Sequence, residues 1–583
     1  MILSLDHRPK ILLRFLTFST CSRKWISASP SKSLPPQSPP LLNLSTLFNS
    51  GNTHLHSPER ELTLVSALKS CASNMAVSQG RQIHCLVVKS GLASNTFIHN
   101  SILNMYAKCG LIGEADSIFT SCWDLDTVSC NIMISAYMKS RRLEDARRLF
   151  DVMHSKGCVS YTTMIMGFAQ NDRWAEAVGI FRDMRNAGVA PNELALASVI
   201  SSCSHLGGIW DCRMLHALSI KLQLEGQVLI STNLLHMYCV CSSLGEARSL
   251  FDEMPEKNIV SWNVMLNGYS KAGLVQLARE LFERIPEKDV VSWGTMIDGY
   301  VQVECLSEAL MLFSEMLGNG MGPNDVMVVD LISACGRSAA VNEGRQLHGA
   351  AAKRGFDCYD FVQATIIHFY AACSMIDLAH LQFEVGVKDH IASRNALIAG
   401  FLKNRMIEQA RDLFNDMSTR DVFSWSTMIS GYAQSEQPNM ALELFSEMIA
   451  SGVQPNQITM VSVCSAIASL GRFNEAKWAH EYVRRSCITF NDNLSAAIID
   501  MYAKCSSINT ALEVFYQVRD RVSTISPWNA IICGLAMHGH ANLSLKTYSD
   551  LQQCPIKPNS ITFIGVLSAC CHGYALLCSC DGI

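Results

Sequence analysis

The chain repeats itself at a fixed interval of 132 residues. "ELTLVSALKSC", "ELALASVISSC" and "DVMVVDLISAC" begin at residues 61, 193 and 325, and "QITMVSVCSAI" continues the series from residue 457. Such a period is typical of repeat architectures, in which one small unit cannot bury its apolar face alone and must stack on its neighbours. The period therefore excludes most single-core globular folds.

Each period divides into repeats of 35, 31, 31 and 35 residues. Repeats begin at residues 61, 96, 127, 158, 193, 228, 259, 290, 325, 360, 391 and 422. A fourth, imperfect round begins at residues 457, 492, 525 and 560, with a 33-residue second repeat and one 31-residue repeat missing. The sequence thus predicts fifteen repeats over residues 61–559, followed by a partial repeat and divergent end over residues 560–583.

The pattern within one repeat predicts two helices. In "IVSWNVMLNGYSKAGLVQLARELFERIPEKD" from residue 259, Met265 and Tyr269 lie on one face of a first helix, and Ala278 and Phe282 on one face of a second. Gly273 supplies the turn between them.

Three positions carry the same kind of side chain in ten repeats. The eleventh residue is aromatic, the twentieth is Ala and the twenty-fourth is Phe. A single helix pair cannot bury these rings, so stacking is required. We therefore predict an all-α fold, a right-handed α-solenoid of helix-turn-helix repeats of 31–35 residues.

These repeats resemble pentatricopeptide repeats of the plant subclass that alternates long, short and standard forms. Typical passages are "NMYAKCG" from residue 104 and "VSWGTMIDGY" from residue 291, and the resemblance extends from residue 61 to about residue 572. It implies that each repeat reads one nucleotide of single-stranded RNA. The fifth and last residues of the repeat would contact the base edge, and second residues would sandwich the base.

The resemblance assigns reading residues repeat by repeat. The pairs that imply U are Asn100/Asp126, Asn263/Asp289 and Asn395/Asp421, and those that imply A are Thr162/Asn192, Thr232/Asn258 and Ser426/Asn456. Asn529/Asn559 implies a pyrimidine, whereas Asn131/Gly157 departs from the pattern at its second member. Repeats two to fifteen then predict the RNA string U-?-A-?-A-U-?-?-?-U-A-?-?-Y.

The charged residues are unevenly distributed. Residues 1–58 hold six basic groups and one acidic group among Ser, Leu and Phe, which is typical of an organellar transit peptide followed by a linker. The Arg content favours the mitochondrion, with the chloroplast as the alternative. The remaining chain holds 41 Lys and Arg against 50 Asp and Glu, a net charge of −9. Any affinity for RNA must therefore come from where the charges lie.

No motif predicts catalysis. None of the 24 cysteines forms C-x-x-C and no histidine begins H-x-E, so the zinc site of a deaminase is missing and we expect no cofactor, metal or catalytic residue. Cys, His and Trp residues that recur at fixed repeat positions are predicted to pack in the core. We interpret Ile583 as the end of a truncated form.

The leading hypothesis is an organellar adaptor that binds single-stranded RNA sequence-specifically. The resemblance to RNA-editing specificity factors implies selection of C-to-U editing sites, with a deaminase or editing-complex protein acting in trans. The alternative is a protein-binding helical-repeat scaffold without RNA. We expect no membrane partner, since the uncharged end of the chain begins in register with the long repeats.

Overall fold

The computed structural model describes residues 58–121, 125–386, 390–486 and 488–580, and these residues form 31 α-helices and no strand. The predicted transit peptide lies outside the described residues, apart from residue 58. In chain order the helices are α1 Pro58–Ser73, α2 Val77–Lys89, α3 Thr96–Lys108, α4 Ile112–Thr120, α5 Thr127–Lys139, α6 Leu143–Val152, α7 Cys158–Gln170, α8 Trp174–Asn186, α9 Glu193–Leu206, α10 Ile209–Lys221, α11 Val228–Val240, α12 Leu244–Glu253, α13 Ile259–Lys271, α14 Val275–Glu283, α15 Val290–Gln302, α16 Leu306–Gly318, α17 Asp325–Arg337, α18 Val341–Lys353, α19 Asp360–Ala372, α20 Ile376–Val385, α21 Ile391–Lys403, α22 Ile407–Asn415, α23 Val422–Gln434, α24 Pro438–Ala450, α25 Gln457–Leu470, α26 Phe473–Arg485, α27 Asp492–Lys504, α28 Ile508–Val518, α29 Ser526–Met537, α30 Ala541–Gln552 and α31 Ser560–Cys580.

The odd-numbered helices are the first helices of successive repeats, and the even-numbered helices are the second. Fourteen odd-numbered helices begin at the residue that opens the corresponding repeat, while α1 begins three residues early, at Pro58, and α29 one residue late, at Ser526. The turn between the two helices uses left-handed backbone at position 15, where φ is 73° at Gly273 and 61° at Arg141. The predicted all-α helix-turn-helix fold is confirmed.

The helices form two compact units, which divide between Ser219 and Ile220 within α10. Inside each unit, first helices pack against the first helices of adjacent repeats, and most also pack against the second helix of their own repeat. First helices therefore form one continuous layer within a unit, and second helices cover it.

The predicted core positions are buried. The position-20 alanines, such as Ala278, have no exposed surface, and the position-24 ring of Phe282 is also fully buried. Trp293, at position four of the next repeat, is 3% exposed and meets the Phe282 ring edge-on, with 4.9 Å between ring centroids. The same contact recurs at Phe251–Trp262, Phe414–Trp425 and Phe515–Trp528. Core packing of these tryptophans is therefore confirmed.

Recurring polar side chains also belong to the scaffold. His348 Nδ1 lies 2.9 Å from the hydroxyl of Tyr370, and His84–Tyr106 and His480–Tyr502 form the same contact at 3.1 Å. Burial lowers the pKa of all three histidines. Cys71, Cys109, Cys335, Cys373 and Cys505, which recur at fixed repeat positions, are free thiols.

Glycine at position 10 lets first helices approach closely, a feature that the sequence analysis missed. A Cβ added to Gly400 would lie 2.5 Å from the Cβ of Ala371, at position 12 of the preceding repeat. At Gly167 an added Cβ would lie 2.4 Å from the Cγ and 2.9 Å from the Cβ of Met138, also at position 12 of the preceding repeat. Real Cβ atoms do not come this close, so the glycines set the spacing of neighbouring first helices.

Candidate nucleic-acid interface

The last residue of many repeats caps the first helix of the next repeat. Asp126, Asp289 and Asp421 each accept a hydrogen bond from the backbone N–H three residues on, at 2.7–2.8 Å. Among the predicted reading residues, the asparagines that do the same are Asn192, Asn258, Asn456 and Asn559. Asp and Asn are preferred at this N-cap position because their side-chain oxygen satisfies an otherwise unpaired N–H group. The predicted reading residues therefore also have a structural role.

Five of the predicted pairs are in direct contact. The fifth residue donates a hydrogen bond to the last residue at 3.0–3.2 Å in Asn100/Asp126, Thr162/Asn192, Asn263/Asp289, Asn395/Asp421 and Asn529/Asn559. The two members of each pair are 26 or 30 residues apart in sequence. Repeat stacking thus places two polar groups side by side at the same point of five repeats.

The other three predicted pairs are arranged differently. Ser426 and Asn456 are joined through the hydroxyl of Thr459, which lies 2.7 Å from Ser426 Oγ and donates to Asn456 Oδ1 at 3.0 Å. Thr232 Oγ1 is buried without a hydrogen-bond partner, so it does not contact Asn258. Asn131 Oδ1 is likewise buried and unpaired, since Gly157 brings no side chain.

The carboxylate of Asp126 is held in its ionised form. Burial by itself would raise its pKa, but hydrogen bonds from Ser129, both side chain and backbone, and from Asn100 bring the pKa below its usual value. A carboxylate that accepts several hydrogen bonds keeps its charge because each donor stabilises the anion. The Asn100/Asp126 pair therefore combines a fixed negative charge with an amide.

An exposed apolar side chain stands at the second position of most repeats. These side chains are 39–79% exposed and belong to Leu62, Phe97, Val128, Val159, Leu194, Leu229, Val260, Val326, Phe361 and Ile561. Positions two and five lie three residues apart on one helix and so share a face. Each compact unit therefore presents a row of apolar groups beside its polar pairs, a surface on which flat, partly apolar rings can lie.

A cavity of about 490 Å³ lies among α3, α5 and α7. Its walls include the second-position residues Val128 and Val159, the fifth-position Asn131, and the exposed lysines Lys108 and Lys139. Lysine recurs at this thirteenth position in Lys271, Lys403 and Lys504. Apolar walls, an unpaired amide oxygen and two ammonium groups suit a nucleobase with its phosphate.

Repeats eight to ten lack fifth-position polar groups, and two acidic side chains lie nearby, Asp298 at the ninth position of repeat eight and Asp330 at the sixth position of repeat nine. The fifth residues of these repeats are Gly294, Val329 and Ala364. Burial, and then the charge of Asp298, raises the pKa of Asp330 to about 7, and Arg337 lowers it. This stretch differs chemically from the paired repeats.

The described ranges contain neither a cluster of metal-ligating side chains nor a membrane-spanning helix. No three His, Cys, Asp or Glu side chains come together there as metal ligands would. No helix within those ranges has the length and apolar character needed to span a bilayer.

Comparison with known families identifies the repeats. The "PPR repeat family" description matches residues 125–160, 159–205, 288–337 and 420–468, and the "PPR repeat" description matches residues 97–122, 230–259, 260–290 and 392–422. A mitochondrial pentatricopeptide repeat-containing protein of Arabidopsis thaliana is 64% identical over 518 residues, which cover 88% of this chain and 76% of that protein. The chain belongs to the pentatricopeptide repeat family.

Other relatives are more distant. A chloroplastic pentatricopeptide repeat-containing protein of Arabidopsis thaliana is 31% identical over 505 residues, which cover 87% of this chain and 51% of the relative. The crystal structure of the pentatricopeptide repeat protein PPR10 from maize aligns with a TM-score of 0.50 and 17% identity, covering 91% of this chain and 88% of that one. This structural likeness shows the pentatricopeptide repeat fold. The organelle predicted from the N-terminal segment is that of the 64% identical relative.

Proposed function

We propose that this protein binds single-stranded RNA in mitochondria and reads one base per repeat through the fifth and last residues. The observation that carries the proposal is the direct contact in five predicted pairs, beside a row of exposed apolar side chains. Amide, hydroxyl and carboxylate groups offer different sets of donors and acceptors, so different pairs can select different base edges.

The finer proposal is that binding selects a site for C-to-U editing. The paired repeats supply recognition, and a deaminase or editing-complex protein acting in trans supplies the reaction. The mitochondrial name of the 64% identical relative supports the location.

Binding of the full chain to RNA carrying the string U-?-A-?-A-U-?-?-?-U-A-?-?-Y tests recognition. The repeat to alter is the seventh, where Asn263 donates to Asp289 at 3.1 Å. We expect replacement of U by A opposite this repeat to weaken binding by roughly tenfold, the effect of about 1.4 kcal/mol. Asn263→Thr combined with Asp289→Asn should reverse that preference. Affinity that ignores both changes would overturn RNA reading, and capture of a protein in place of RNA would favour the scaffold alternative.

Editing needs a separate test. Mitochondrial transcripts from a line lacking the protein, sequenced beside those of its parent, should lose C-to-U conversion at one or a few sites. Retention of every site would overturn the editing role and leave RNA binding standing.

A further inference from the structure

A hydroxyl outside the two predicted reading positions touches the reading group in four repeats. It belongs to the third residue of the following repeat, one turn after the N-cap. The contacts are Ser129 to Asn100 at 2.7 Å, Ser292 to Asn263 at 2.7 Å, Thr459 to Ser426 at 2.7 Å, and Thr562 to Asn529 at 2.6 Å. All four hydroxyl-bearing residues are fully buried, so water does not compete for the contact.

In three of these repeats the fifth residue is Asn, and its amide orientation follows from chemistry. In the seventh repeat, Asn263 Nδ2 donates to Asp289 at 3.1 Å, and the single hydroxyl hydrogen of Ser292 is shared between Asn263 Oδ1 and Asp289 Oδ1, each 2.7 Å from Ser292 Oγ. The opposite orientation would place the amide oxygen against a carboxylate oxygen. The second repeat has the same arrangement. In the fifteenth repeat, Asn529 Nδ2 donates to the Asn559 amide oxygen, and Asn529 Oδ1 faces the Thr562 hydroxyl.

The hydroxyl therefore occupies one acceptor site of the amide oxygen. One Nδ2 hydrogen is used by the last residue, which leaves the second hydrogen to meet a base. Such a group favours U, whose edge carries carbonyl acceptors, over A and C, whose edge carries an amino donor.

We propose that the third-position hydroxyl is a third specificity determinant in these repeats, acting as a positioning residue for the fifth-position side chain. This inference rests on the proposed RNA-reading function. It assigns the role to Ser129, Ser292, Thr459 and Thr562, which act on the fifth residue of the repeat before their own.

The eleventh repeat provides a matched control. It has the same Asn395/Asp421 pair, and Ser424 Oγ donates to Asp421 Oδ1 at 2.8 Å, as Ser292 Oγ does to Asp289 at 2.7 Å. No hydrogen bond reaches Asn395 Oδ1, which is buried and unpaired. Ser424 thus shares the aspartate contact of Ser292 without the contact to the amide, whereas Ser292 Oγ also accepts the Asp289 N–H at 3.4 Å.

The experiment measures binding of the full chain to RNAs that carry U, A or C opposite the seventh or the eleventh repeat. We expect Ser292→Ala to lower the preference for U over A opposite the seventh repeat by roughly five- to tenfold, the effect of one hydrogen bond. Ser292→Thr should retain the preference. Ser424→Ala should change the preference opposite the eleventh repeat by less than twofold.

Two results would overturn the inference. One is an unchanged U preference in Ser292→Ala while the wild type discriminates, and the other is an equal loss in Ser292→Ala and Ser424→Ala, which would indicate a purely structural role. A wild-type chain that binds RNA without preferring U would overturn the proposed function and this inference together.

Discussion

At the residue scale, one side chain stabilises a helix and also belongs to a proposed reading pair. Asp421 accepts the N–H of Ser424 as the cap of α23 and also receives the amide of Asn395. A capping oxygen is present in Asp and Asn alike, so base preference can change between these residues while the cap is kept. Asp and Asn at the last position therefore both keep the cap, whichever base the repeat is proposed to read.

Substitution of Asp421 should separate the two roles. Asp421→Ala removes the cap, and we expect about 1 kcal/mol less local stability, seen as roughly fivefold less protection of α23 amides in hydrogen exchange. Asp421→Asn keeps the oxygen and should retain protection while its preference for U falls. Equal loss of protection in both variants would contradict the capping role.

At the element scale, the spacing of first helices depends on glycine. Gly400 in α21 faces Ala371 in α19, and no flexible side-chain end can move aside to admit a Cβ there. Side-chain volume at position 10 therefore decides how closely two repeats stack.

Gly400→Ala should lower the free energy of unfolding by about 1–3 kcal/mol, because overpacking forces the two helices apart. Gly349→Ala in α18 is the control, since a Cβ there meets no atom within 4 Å. In that variant the free energy of unfolding should rise by about 0.5–1 kcal/mol, because Ala has a higher helix propensity than Gly. Urea unfolding followed by circular dichroism measures both, and a stabilised Gly400→Ala would refute the close-approach argument.

The acidic stretch on α15 and α17 predicts a dependence on pH. Burial and Asp298 raise the pKa of Asp330 to about 7, while Arg337 opposes the shift. Between the pKa of Asp330 in the unfolded chain and about pH 7, the folded chain carries more bound protons than the unfolded chain. The free energy of unfolding therefore falls as the pH rises through this range.

Asp330→Asn should accordingly stabilise the protein at pH 8, on the order of 1–2 kcal/mol, with little effect near pH 4. Urea unfolding at several pH values tests this, and Asp325→Asn on the same helix controls for loss of one charge. A difference in stability between Asp330→Asn and the wild type that does not change with pH would contradict the prediction.

At the scale of the whole molecule, stability is distributed over repeats, so the same contact acts several times. His84, His348 and His480 each form a partly buried contact with a tyrosine, and burial lowers the pKa of each histidine. The unfolded chain therefore binds more protons near the ordinary histidine pKa of about 6.5.

Stability should consequently be retained above about pH 6.5 and fall as the pH drops below it. Replacing the three histidines by Gln should reduce this loss of stability below about pH 6.5. Thermal melts between pH 5.5 and pH 7.5 measure the effect. If the melting temperature of the triple variant falls with pH as steeply as that of the wild type, these histidines are not the source of the loss.

The sequence by itself determined the period, the two helices of each repeat and the core. Spacings such as Tyr269 to Phe282 lie within one repeat, and helical periodicity specifies which face they share. It also predicted that Asn263 and Asp289 form one pair, although that inference came from resemblance to a family.

Only the tertiary structure decided which side chains meet between repeats. The contact of Ser292 with Asn263 and the approach of Gly400 to Ala371 depend on distances of a few ångströms between helices. Those distances are set by packing of the whole layer. A repeating sequence pattern therefore predicts the architecture, while the chemistry of each proposed reading site depends on how adjacent repeats stack.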